Sequence, residues 1–201
     1  MIHAVFQGKE YAIAPVIDRL VNLINNNPGL TTEQGVFRLS GNNALRVETL
    51  ALLRNNPQAN MPSFNANTII HDLIPMLKGV LREKRVAVLE QKSETLEKMM
   101  AVVYEKDPEL QKTALKNYVN SLKGDQIKIL KLPLVSQVIE NQNTTQMGPK
   151  NIATTLGLTL SPDALGGDLQ AILQATVKAV NPFTEFLFTH ASEVEAFLNG
   201  K

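Results

Sequence analysis

Tyr11 to Asn26 read YAIAPVIDRLVNLINN, and within them Ile13, Val16, Ile17, Leu20, Val21 and Ile24 recur at steps of three and four. That is the spacing of one face of an amphipathic α-helix, not of a strand, whose faces alternate residue by residue. Pro28-Gly29 closes the pattern. Working outward, a second helix is expected from about Asn42 to Asn55, with Ser40 placed to accept a backbone N–H as its cap. Ile69, Ile70, Leu73, Leu77, Val80 and Leu81 outline a third from Thr68 onward, and Pro75 inside it predicts a kink because proline has no N–H and crowds the preceding turn. Further helices are expected over Ser93 to Lys106, from an Asp107-Pro108 cap to about Lys123 with Gly124 closing it, over Asp125 to Glu140, from Pro149 to about Leu158, and from Asp168 to Phe197 with a break at Asn181-Pro182. Strand signals are sparse, no repeat of fixed period is present, and no Gly- or Pro-rich linker divides the chain. The expected fold class is all-α, in a single domain over residues 1–201, a length that buries roughly 70% of the surface of the unfolded chain.

Composition excludes more than it assigns. Twenty Lys and Arg against nineteen Asp and Glu leave a formal charge of +1, far from the concentrated basic excess of nucleic-acid binders, so no nucleic-acid partner is expected. With no cysteine, disulfides, thiolate metal sites and cysteine nucleophiles are ruled out. Met1 to Glu10 has neither a basic patch nor an apolar run and does not read as a signal peptide. No stretch reaches the eighteen or more apolar residues of a membrane span, and a cytosolic location is the expectation. His3, His71 and His190 stand far apart, outside any HExxH-like pair, and His71 reads first as a capping or packing residue near a helix start. A GxxxxGK[ST] loop is missing too, so the chain should hold no nucleotide of its own.

The segment that carries chemistry is Gly35-Val36-Phe37-Arg38-Leu39-Ser40-Gly41. An arginine stands between two glycines, with apolar Val36, Phe37 and Leu39 able to anchor the loop on a core. From the local sequence alone two readings stay open: a guanidinium held out for a partner, or one more solvated surface arginine.

Three motifs in series distinguish them by resemblance. Gly35 to Gly41 resembles the arginine-finger loop, G-[IV]-[FY]-R-x-S-G, of the Rho GTPase-activating protein (RhoGAP) domain family, and like that loop it follows an amphipathic helix. Leu77-Lys78-Gly79-Val80-Leu81-Arg82-Glu83 is similar to the family's L-K-x-x-L-R-E helix, with His71 where that helix often begins. Met147-Gly148-Pro149-Lys150-Asn151-Ile152-Ala153 is similar to its M-T-x-x-N-L-A segment. Order and approximate spacing are those of the family, and Val5-Phe6 and Phe183 to Phe197 look like its terminal segments, so the likeness spans nearly the whole chain.

The resemblance implies an all-α helical bundle of the RhoGAP type and a partner of the Rho, Rac or Cdc42 class. It implies that Arg38 is the catalytic arginine, delivered in trans to a GTPase that itself holds GTP and Mg, so that the chain needs no cofactor or metal of its own and has no independent hydrolase activity. Arginine suits that role because its planar fork bonds phosphate and carbonyl oxygens together without losing charge, so Arg38→Lys is expected to lose most activity. Lys78 and Arg82, four apart on one helix face, would brace the loop and contact the GTPase, and Asn151 would join the interface or order the loops around it. Read without the family, Lys78 and Arg82 are a solvated helix face and Asn151 is a cap near Pro149. A monomer is expected.

Departures mark a divergent member. After Arg82-Glu83 the family usually continues Leu-Pro, whereas Lys84-Arg85 stand here, and Gly157 is followed by Leu158-Thr159 where the family commonly shows Pro-Asn. These changes leave open a second function, a catalytically weak module that keeps the fold and only captures or scaffolds a GTPase. A helical adaptor unrelated to GTPases, for a lipid or peptide, is a third. Because the family usually occurs within longer proteins, the chain is either an excised fragment or a compact regulator, such as a microbial protein acting in a host cell's cytosol.

Overall fold

A computed structural model describes residues 3–6, 9–38, 40–60, 69–82, 89, 93–122, 126, 133–161 and 168–199. The described chain is all-α apart from an N-terminal hairpin, β1 (His3–Phe6) and β2 (Lys9–Ala12), antiparallel with His3 opposite Ala12 and Phe6 opposite Lys9. The helical stripe overran this hairpin at Tyr11 and Ala12, since strands of four residues are too short to establish a period of two. The helices are α1 (Ile13–Asn25), α2 (Gly29–Thr32), α3 (Asn43–Asn55), α4 (Ile69–Leu81), α5 (Ser93–Tyr104), α6 (Pro108–Ser121), α7 (Pro133–Glu140), α8 (Gln142–Thr145) and α9 (Pro149–Leu160). They are followed by α10 (Leu169–Ala175), a π-helical turn (Thr176–Val180), α11 (Asn181–Thr189) and α12 (Ala191–Asn199).

Contacts gather these elements into two compact units, with the chain leaving the first at Val86, returning for Pro133–Gly148, and leaving it again at Pro149. In the first unit α1 buries Ile13, Val16, Ile17, Leu20 and Ile24, the face its spacing specifies, against α4, α3 and α7. Each such side chain contributes about 1.5–3 kcal/mol when fully buried. Helix α4 is apolar almost all round, with Ile70, Leu73, Ile74, Met76, Leu77, Val80 and Leu81 buried. That is the pattern of a central helix. It continues through the buried Pro75 from Ile69 to Leu81. Helix α2 rests on α7 and α8 with Leu30 wholly buried.

In the second unit α9 packs along α11, while α5 lies on α6, α11 and the π-helical turn. Tyr118 and Phe183 meet in its core with ring centroids 4.5 Å apart and planes tilted by 60°. Asp107 caps α6 by accepting the N–H groups of Glu109 and Leu110, with Pro108 in the first turn, as the sequence indicates. The expected break at Asn181-Pro182 does not occur. Asn181 keeps helical angles (φ −66°, ψ −48°), and the interruption falls at His190 (φ −108°, ψ 33°). Proline is tolerated because the turn before it is widened to π geometry, which relieves the crowding between its ring and the carbonyl four residues back. That carbonyl, on Lys178, accepts instead the hydroxyl of Tyr104 at 2.9 Å.

Candidate functional site

The site grows from the segment joining α1 to α3 in the first unit. Val36 and Phe37 are wholly buried and pin the loop to the core as anticipated, while Arg38 next to them is exposed. Leu39 lies outside the described residues. The backbone is shaped by a tight turn in which the Arg38 N–H donates to the Gly35 carbonyl at 2.6 Å. Gly35 sits at φ +66°, a left-handed conformation that residues with a Cβ rarely adopt. The stem of Arg38 passes over it, with Cβ and Cδ 3.9 Å from where a Gly35 Cβ would stand. Among the described residues the Arg38 guanidinium has no hydrogen-bond or ion-pair partner.

Three neighbours hold this loop. The Gly35 N–H donates to the Thr145 carbonyl at 2.7 Å, at the end of α8. Thr145 is itself buried, with its hydroxyl 3.1 Å from the Asn141 carbonyl. Lys78 of α4 donates from Nζ to the Phe37 carbonyl at 3.0 Å, one residue before the exposed arginine. Asp72, also of α4, accepts the Asn42 N–H at Oδ1 over 2.6 Å, where the loop enters α3. Asn42, not Ser40, caps α3, its side chain accepting the N–H groups of Ala44 at 3.0 Å and Leu45 at 3.3 Å. Both residues are good caps by type, and the choice between them depends on where the Asp72 contact fixes the chain.

Lys78 is half-buried, and burial pushes its ammonium below the ordinary lysine pKa near 10.5, with the positive charge of Arg82 acting in the same direction. Arg82 follows one turn later and is exposed, its N–H bonded to the Lys78 carbonyl at 3.1 Å. Arg38, Lys78 and Arg82 therefore all belong to the first unit, with Lys78 bonded to the loop that presents Arg38. Asn151 belongs to the second, half-buried in the first turn of α9, where its carbonyl accepts the Thr155 hydroxyl at 2.8 Å. Of the divergent positions, Lys84-Arg85 lie outside the described residues. Leu158 is 40% exposed and Thr159 is wholly buried, its hydroxyl turned back to the Thr155 carbonyl at 3.3 Å.

Sequence reasoning missed Asp72, Thr145 and Glu33. Asp72 left one signal, a carboxylate amid Ile69, Ile70, Leu73 and Ile74, since a buried acid requires a partner. Glu33 and Thr145 left none, because each acts across a long stretch of chain. His71 Nε2 stands 3.5 Å from Glu33 Oε2, across from the start of the loop, a contact that becomes an ion pair when the imidazole is protonated. Among the described residues no three of His, Asp and Glu gather as metal ligands, and no helix is long and apolar enough to cross a membrane.

A family model, the RhoGAP domain, matches residues 14–164. Two solved structures share the fold at low identity. The BH domain of GRAF, the GTPase regulator associated with focal adhesion kinase, superposes with a TM-score of 0.70 at 18% identity, covering 93% of this chain and 94% of that one. Human Rho GTPase activating protein 15 does so with a TM-score of 0.71 at 17% identity, covering 89% and 82%. A sequence search among curated proteins returns no match.

Proposed function

Since the chain belongs to the RhoGAP domain family, whose general role is to activate Rho GTPases, we propose that it acts by inserting Arg38 into the nucleotide site of a GTP-loaded partner of the Rho, Rac or Cdc42 class. One observation carries this reading: Arg38 is exposed and its guanidinium unpartnered among the described residues, on a loop whose adjoining residues Val36 and Phe37 are buried. A guanidinium kept at the surface without an ion pair, on an anchored backbone, costs little reorganisation when it meets an anion.

The γ-phosphoryl group spreads charge over its equatorial oxygens as it transfers, and a GTPase alone stabilises that charge poorly. An arginine supplied in trans is worth about 10³ to 10⁵ in rate. That corresponds to roughly 4–7 kcal/mol of barrier, at about 1.4 kcal/mol per decade. GTP and Mg belong to the partner, and a glutamine of the partner orients the attacking water, so this chain needs no general base. Lys78 holds the carbonyl before Arg38. Arg82, exposed on the same helix, supplies positive charge beside the incoming phosphates, and Asn151 contributes to the partner interface.

The test is phosphate release from GTP-loaded Rho, Rac and Cdc42-class GTPases. Wild type should stimulate it, Arg38→Ala should abolish the stimulation, and Arg38→Lys should lose most of it, while all three still bind. GDP with aluminium fluoride should tighten the wild-type complex. Equal stimulation by wild type and Arg38→Ala eliminates the catalytic reading. Binding with no stimulation by either leaves the scaffold, the reading to which the buried Thr159 and exposed Leu158 lend support.

A further inference from the structure

Among the Asp, Glu, Lys, Arg and His residues whose exposure is described, Asp72 is the only one that is buried, at 7% exposure. A carboxylate in that position is expensive unless something fixed compensates it. Two things do. It lies in the first turn of α4, where the helix dipole favours negative charge. Its Oδ1 also accepts the Asn42 N–H at 2.6 Å, the short distance of a charge-assisted bond. Thirty residues separate donor and acceptor, so this bond ties α4 to the point where the loop becomes α3. Gly41 shows how closely the two surfaces meet, since a Cβ there would collide with the Asp72 carboxylate and the His71 carbonyl.

The loop is thus fastened at Gly35 by Thr145, at Phe37 by Lys78 and at Asn42 by Asp72, with Arg38 between the fastened points. We propose that Asp72 is a positioning residue for Arg38: its carboxylate fixes the exit of the loop and thereby the place at which the guanidinium is presented. This rests on the arginine-finger reading above. A finger acts only when its guanidinium reaches the transferring phosphoryl, and misplacement by about 1 Å can cost on the order of 10²-fold in rate.

The experiment is single-turnover GTP hydrolysis by a responsive Rho-class GTPase at saturating activator, alongside binding to the same GTPase loaded with a non-hydrolysable GTP analogue. Asp72→Leu, close in shape but without an acceptor, should lower the saturating rate by about 10- to 100-fold with affinity changed by less than about 3-fold. Asp72→Asn keeps an oxygen for the Asn42 N–H and should retain the rate within about 3-fold. In an Arg38→Ala background Asp72→Leu should cause no further loss, because residues acting through one group are not additive. If Asp72→Leu fails to fold, Gly41→Ala presses on the same contact from the loop side and should give the same fall in rate. An unchanged rate in the folded variants, a loss of affinity matching the loss of rate, or a further loss in the Arg38→Ala background overturns the role of Asp72. Failure of Arg38→Ala itself to lower the rate would instead overturn the finger, and the two results are separable in one set of measurements.

Discussion

Lys78 shows how a single side chain on α4 is tuned by its surroundings. Its hydrogen bond to the Phe37 carbonyl draws the ammonium half out of water, and the depressed pKa follows from that desolvation first and from Arg82 second. The unfolded chain therefore keeps this proton to higher pH than the folded chain does. Stability from this group is complete above the ordinary value near 10.5 and is lost as pH falls through the lower folded value. Between the two values wild type should gain stability with rising pH relative to Lys78→Met, in which nothing titrates. Denaturant unfolding from about pH 8 to 11 tests this, and parallel curves for the two proteins would refute it. At this scale the sequence was a partial guide. Arg38, Lys78 and Arg82 stood out because they fall in motifs, and the structure leaves Arg38 exposed with Lys78 bonded to the residue before it. The carboxylate of Asp72 and the carbonyl of Thr145 were not, since their partners at Asn42 and Gly35 are reached only through the tertiary fold.

Helices were the most legible part of the chain, because burial imposes a period that survives without neighbours: α1, α3, α4, α6 and α9 begin or end within a few residues of where their apolar spacing puts them. What failed were the junctions. Ser40 lost the cap of α3 to Asn42, and the rule that proline breaks a helix failed at Pro182. In α-helical register the Lys178 carbonyl would receive the N–H of residue 182, which proline lacks. The π-helical turn before it opens the backbone, and the Tyr104 hydroxyl of α5 donates to the Lys178 carbonyl, which Pro182 has no N–H to serve. Tyr104→Phe should accordingly cost about 0.5–1.5 kcal/mol, the usual net value of one hydrogen bond. Pro182→Ala restores the missing N–H, so Tyr104→Phe should cost much less in that background. Equal costs in both, by thermal or denaturant unfolding, would break the link between tyrosine and proline.

At the scale of the whole molecule, the first unit is discontinuous, and the sequence, which shows no linker, could not reveal it. A division made by contacts between distant segments leaves no compositional mark. Residues 1–86 carry the loop and α4, yet 133–148 complete the unit. That later stretch supplies α7 and α8, on which Leu30 and α2 rest, adds buried Leu134, Val135, Val138 and Met147, and provides the Thr145 carbonyl that receives the Gly35 N–H. A fragment ending at Val86 would expose those apolar contacts of α1 and α2 and leave the start of the Arg38 loop unfastened. Such losses are large against the 5–15 kcal/mol by which whole domains are stable. The fragment, although it contains Arg38, Lys78 and Arg82, should therefore show no cooperative thermal transition by circular dichroism and no stimulation of GTP hydrolysis. A cooperatively melting, active fragment of residues 1–86 would mean that the loop is held by α4 alone and that the return of the chain through α7 and α8 is dispensable to it.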